Sequence, residues 1–278
     1  MTHLRHEMAK AQDEESSCDG RRAAATGMIL GFRFDAGVSI FSSMRNPIIA
    51  ALDVPSADDA LQLAKKIAPF VGGFKIGSEL FTSAGPDIVR RVRATGAAVF
   101  LDQKFHDIPH TVAKAVAAAV RLDVQMLTVH ASGGVEMLKA AEQAAQEGAW
   151  ESGHAPPLVL AVTVLTSLDS NALSEIGLDP NVARQVRRLG NMANKAGLRG
   201  LVCSPLEVAD LRQMLPASMR LVTPGVRVEP NAGDDQKRTL TPREAMAAGA
   251  NWLVIGRPIY AATNPAAAAE AIWNSLNS

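Results

Sequence analysis

Cysteine is nearly missing from this chain: Cys18 and Cys203 stand far apart with no Cys-x-x-Cys spacing, too few for a disulfide framework. A reducing cytoplasm is the expected location. No run approaches the roughly 20 consecutive apolar residues of a membrane-spanning helix, so a soluble protein is expected. An excess of one charge is absent as well, since 28 Lys and Arg balance 28 Asp and Glu. That balance removes the broad positive field that would favour nucleic acid or an anionic membrane, and a small-molecule partner becomes the expectation. Aromatic residues make up only 4% of the chain against 47% apolar residues, so the core has to come mainly from Ala, Val, Ile and Leu. Such a core suits helices packed on parallel strands.

Organisation changes near residue 45. Residues 1–45 are mixed in charge, rich in Ala, Ser and Gly, and without a sustained period, and they are read as a disordered N-terminal extension. Arg21-Arg22 before Ala-rich residues resembles an export signal, but Phe32-Arg33-Phe34-Asp35 interrupts its apolar part early. Residues 46–278 alternate short β-branched apolar runs with longer Ala- and Leu-rich amphipathic stretches, the pattern of repeated βα units. Eight units are counted, with strands ending near Asp53, Lys75, Lys104, His130, Thr163, Cys203, Thr223 and Ile255. Ser56, Asp107, Ser204 and Thr241 are the expected helix N-caps, the last three standing one or two residues before a proline. An open doubly wound sheet competes with a closed (β/α)8 TIM barrel in a single domain. Polar residues follow nearly every strand, which favours the barrel, because an open sheet binds at one switch point.

The most informative segment is Asp102-Gln103-Lys104-Phe105-His106-Asp107-Ile108-Pro109-His110-Thr111, at the end of the third strand. Strand side chains alternate faces, so Asp102 and Lys104 are expected to point together into the barrel mouth, with Gln103 pointing outward. Charges buried there need each other, because an unpaired buried charge is costly. Lys75, in the apolar run Phe74-Lys75-Ile76-Gly77, needs a carboxylate for the same reason, and Asp53 and Asp102 come from the flanking strands. An alternating Lys, Asp, Lys, Asp array follows. His106 and His110, at i and i+4, have the spacing of a metal pair, but Pro109 intervenes and no third ligand is indicated, so no metal is expected. His130 is read as a hydrogen-bonded structural residue.

The segment Asp102 to Thr111 resembles the signature of the orotidine 5'-monophosphate decarboxylase family. Further landmarks of that family recur in order: Ala51-Leu52-Asp53, Phe74-Lys75-Ile76-Gly77, Val129 to Gly134, Val164 to Ser167, Thr223 to Arg227, and Ile255 to Pro258. The resemblance covers residues 46–276, with mild departures at Gln103 and His110. It implies a barrel enzyme that converts orotidylate to uridylate and carbon dioxide without a cofactor. By the same resemblance Lys75, Asp102, Lys104 and Asp107 form the catalytic tetrad, with Lys104 as proton donor. Substrate contacts are implied for Asp53, Lys75, Asp102, Ile108, Thr111, Thr166, Pro224, Arg227, Gln236, Gly256 and Arg257. Asp107 and Thr111 would reach across the interface of a homodimer.

That reaction leaves negative charge on a ring carbon without the electron sink of pyridoxal phosphate or thiamine, so fixed charges must stabilise it. Two carboxylates beside Lys104 favour its ionised form, and the resulting ammonium serves as acid. The barrel loops after strands seven and eight are the usual phosphate anchors, and Arg227, Gly256 and Arg257 lie there. The stretch from Arg227 to Leu240 is long enough to close over a ligand with Gln236. Other readings are a Schiff-base aldolase, a magnesium-dependent hexulose-phosphate synthase and a catalytically silent nucleotide-binding barrel. The acids oppose the neutral amine that the first requires, chelator insensitivity would separate the second, and retention of all four charged positions speaks against the third.

Overall fold

The computed structural model describes residues 44–227 and 240–277. Eight parallel strands close on themselves in sequence order. They are β1 (Ile48–Ala51), β2 (Gly73–Gly77), β3 (Val99–Phe105), β4 (Met126–His130), β5 (Leu158–Val162), β6 (Gly200–Val202), β7 (Arg220–Thr223) and β8 (Trp252–Ile255). Closure is direct, since Ile48, Ile49 and Ala50 of β1 pair with Leu253, Val254 and Ile255 of β8. The open doubly wound sheet is thereby excluded. Each strand ends within two residues of the position expected from sequence.

Apolar residues alternate along the strands to build two cores. Ile48, Ala50, Phe74, Ile76, Leu127, Val129, Leu201 and Leu253 pack with residues of the surrounding helices, such as Leu63, Val116 and Leu138. The residues between them in sequence, among them Ile49, Ala51, Phe100, Met126, Leu158, Leu160, Val222 and Val254, form a second cluster inside the barrel. Met44, which the sequence reading puts in the extension, is 4% exposed and belongs to that inner cluster. Because both faces of each strand are covered, the strands read as continuous apolar runs.

Helix starts follow local chemistry. Ser56 accepts from the backbone N–H of Asp59, and Ser204 and Thr241 each form a reciprocal capping box three residues long, with Glu207 and Glu244. Asp107 is the exception. The helix Pro109–Val120 takes Ile108 as N-cap, with φ −58° and ψ 152° and no side-chain cap. A residue before proline is driven to such extended geometry, which moves the helix boundary one residue past Asp107. Asp107 instead accepts a hydrogen bond from the N–H of Ile108 at 2.6 Å. Among the described residues no helix is long and apolar enough to cross a membrane.

Candidate active site

The mouth of the barrel holds a chain of opposite charges. Lys75 Nζ donates to Asp53 Oδ1 at 2.9 Å and lies 3.8 Å from Asp102 Oδ2. Lys104 Nζ is 2.9 Å from each oxygen of Asp102. Asp53, Lys75, Asp102 and Lys104 thus alternate acid and amine, and of the expected Lys, Asp, Lys, Asp series Lys75, Asp102 and Lys104 come together. Asp102 is the most withdrawn acid, with its side chain 12% exposed against 37% for Asp53. Partners on two sides offset the cost of that burial.

Simple alternation does not produce this arrangement. Leu101 pairs with Leu127 and Phe105 with Val129, so Asp102, Gln103 and Lys104 of β3 lie opposite Thr128 alone on β4. Lys104 has φ 50°, one of two positive values at non-glycine residues among those described. A lysine in this left-handed region is strained by roughly 1–3 kcal/mol. The bulge is how Asp102 and Lys104 come to share the mouth.

A cavity of about 610 Å³ opens above the inner core and is lined by Asp53, Lys75, Asp102, Lys104, Thr166, Pro224, Arg227, Gly256 and Arg257. All nine were expected from sequence. Its floor includes Ala51, Phe100, Val162, Val202 and Val254, and a space of this size suits one small organic ligand. Sequence reasoning passed over Tyr260, the only tyrosine of the chain, which also lines the cavity. Asp107, Ile108 and Thr111 are exposed and line no part of it. Within one chain Lys104 therefore meets one acid of the expected two. Gln236, and most of the loop expected to close over a ligand, lie outside the described residues.

His106 does not pair with His110. Its ring lies 5.2 Å from that of His130, tilted by 41°, so His130 packs against a second imidazole. Among the described residues no three metal-ligating side chains are gathered. Burial, then His106, then the Lys104 ammonium hold His130 below the ordinary imidazole value of 6.5, with Asp102 opposing them.

Fold and site together define a barrel enzyme whose mouth sets amines against carboxylates and places two arginines at the far rim. A family model described as the orotidine 5'-phosphate decarboxylase / HUMPS family matches residues 46–272. The chain belongs to that family. It is 51% identical over 232 residues to an orotidine 5'-phosphate decarboxylase of Opitutus terrae, covering 83% of this chain and 98% of the relative. An enzyme of the same name from Moorella thermoacetica is 49% identical over 229 residues, covering 82% and 91%. Among solved structures, the orotidine 5'-phosphate decarboxylase of Lactobacillus acidophilus superposes with a TM-score of 0.75 at 37% identity, covering 84% of this chain and all of that one.

Gly77 offers a direct check on the charge array. A Cβ placed there would stand 2.8 Å from Lys75 Nζ and 3.1 Å from Asp53 Oδ1. Gly77→Ala is expected to fold normally, because a flexible lysine tip can yield, but to lower turnover on the order of 10²-fold by displacing the amine. Unchanged turnover at an unchanged melting temperature would contradict the array's role. His130 gives a second check, with a definite sign. Its folded value is depressed, so the unfolded chain binds more protons as pH drops through 6.5, and stability falls with it. Melting curves of His130→Gln should decline less steeply over that interval than those of the unaltered chain, and parallel declines would remove His130 as a contributor.

Proposed function

We propose that this chain converts orotidine 5'-monophosphate to uridine 5'-monophosphate and carbon dioxide, the last step of uridylate synthesis. The observation that carries the reading is Lys104 Nζ held 2.9 Å from both oxygens of Asp102 in the lining of the barrel cavity. The bond between C6 and the carboxylate breaks, its electron pair stays on C6, and carbon dioxide departs. An ammonium fixed beside that carbon stabilises the charge as it forms and then gives it a proton. The charge array takes the place of a cofactor's electron sink. The relatives of about half identity support this substrate.

Arg257, Gly256 and Arg227 stand after β7 and β8, where barrels commonly hold phosphate, and they are assigned to the substrate's phosphate. Arg257 presents a guanidinium fork suited to that group. Asp53 is assigned to the ribose hydroxyls, Thr166 to the amide edge of the pyrimidine, and Pro224 to the surrounding wall, with Gln236 closing over the ligand. The catalytic set is Lys75, Asp102, Lys104 and Asp107. We assign Asp107, Ile108 and Thr111 to the site of a second copy in a homodimer. Their exposure at the end of β3, with Ile108 65% exposed, supports a partner there. A cytoplasmic location is part of the same reading, and the buried thiol of Cys203 accords with it.

Purified protein given orotidylate in the presence of EDTA is expected to form uridylate, read by the loss of the substrate's ultraviolet absorbance. Lys104→Ala should fold and lose activity by on the order of 10²–10⁴-fold. Turnover abolished by the chelator would favour a metal-assisted reaction of the wider family, and full turnover in the lysine variant would end the assignment. The shared site has its own test. Lys104→Ala and Asp107→Ala, each inactive alone, should regain activity when mixed, because a hybrid dimer contains one intact site. Failure to regain it would confine Asp107 to its own chain.

A further inference from the structure

We infer that Thr128 is a positioning residue of the reaction, setting both the carboxylate of Asp102 and the backbone from which the Lys104 side chain springs. Its readout rests on the decarboxylase reading above. No motif drew attention to this threonine, yet it is the single β4 residue facing the three-residue bulge that carries Asp102 and Lys104. It is 0% exposed, one of few buried polar side chains of the barrel. Met126, two residues before it on β4, belongs to the inner cluster, so strand alternation places Thr128 on the same inward face.

A threonine hydroxyl has one proton and two lone pairs, and here both capacities are used. The backbone N–H of Lys104 donates to Thr128 Oγ1 at 2.8 Å. That contact occupies a lone pair and leaves the hydroxyl proton to Asp102 Oδ1, 3.0 Å away. The same Oδ1 accepts from Lys104 Nζ at 2.9 Å. A closed circuit results, running from the hydroxyl to the carboxylate, to the ammonium, and back through the lysine's own backbone.

Two degrees of freedom are removed by this circuit. The carboxylate is kept from rotating away from Lys104, and the backbone of Lys104 is held at its unfavourable φ of 50°. Threonine is well suited to the task, because β-branching makes its side chain stiff about χ1. Valine has the same shape but neither donates nor accepts, so the two are not interchangeable in a buried site. With valine the lysine N–H loses its partner and the carboxylate keeps only its amines.

The test compares Thr128→Val, which keeps the volume and loses the hydroxyl, with Thr128→Ser, which keeps the hydroxyl and loses the methyl. A positioning role predicts a kcat lower on the order of 10²-fold for the valine variant, with KM for orotidylate little changed, and recovery of most of that kcat in the serine variant. A packing role predicts the reverse ranking, serine damaging and valine harmless. Valine turnover close to that of the unaltered chain, or equal losses in both variants, overturns the inference. Should Thr128→Val not fold, Thr128→Ala set against Thr128→Ser makes the same comparison, since both lack the methyl and differ in the hydroxyl. The unaltered chain assayed alongside separates this outcome from failure of the decarboxylase reading, because that failure would leave it inactive too.

Discussion

The ion pair between Lys104 and Asp102 is the constraint on which the mouth of this barrel depends. Each oxygen of Asp102 meets the ammonium at 2.9 Å while the acid itself is 12% exposed. Loss of either partner would leave the other with less compensation for its charge, and the cost is greater for the withdrawn acid. Asp102 is buttressed accordingly, by Lys104 on one side, Lys75 on the other and the hydroxyl of Thr128. Barrel closure in sequence order makes this possible. Since β1, β2, β3 and β4 are neighbours, a polar side chain on or just after each becomes a neighbour of the next. An open sheet would hold the same residues in a row, but it would not wall them in with β5 to β8.

Much of this was legible in the sequence, and what was legible was local or periodic. Strands buried on both faces leave continuous apolar runs, so all eight appear at the expected places. The caps at Ser56, Ser204 and Thr241 depend only on the following turn. Nine of the expected catalytic and substrate-binding residues line one cavity because each stands toward the mouth end of a strand or beyond it. The failures came where a competing local rule or a distant partner decided. Pro109 fixed the geometry of Ile108 and displaced the cap from Asp107. Alternation placed Asp102 and Lys104 on one side correctly but for an incomplete reason, because the bulge that turns Lys104 depends on pairing with β4. Thr128 was missed altogether, although a polar residue within Met-Leu-Thr-Val-His carries a signal. A buried hydroxyl on an inward face must have partners, and those partners lie 24 and 26 residues away in sequence.

The charges around the cavity also divide by position. Asp53 and Asp102 balance Lys75 and Lys104, and Glu79 adds another acid to the lining, so the array on β1 to β3 has no surplus positive charge to attract an anion. Among the described residues, Arg227 and Arg257 line the cavity across the barrel, on the rims of β7 and β8. In the reading proposed above, capture of a phosphorylated substrate falls to one side of the mouth and bond breaking to the other. The separation has a physical advantage. Amines already committed to carboxylates are weak traps for a phosphate, which on that proposal leaves Lys104 to the carbon where charge develops. Interactions strengthened only as that charge appears are the ones that accelerate the reaction, and an array balanced at rest is built to respond in that way.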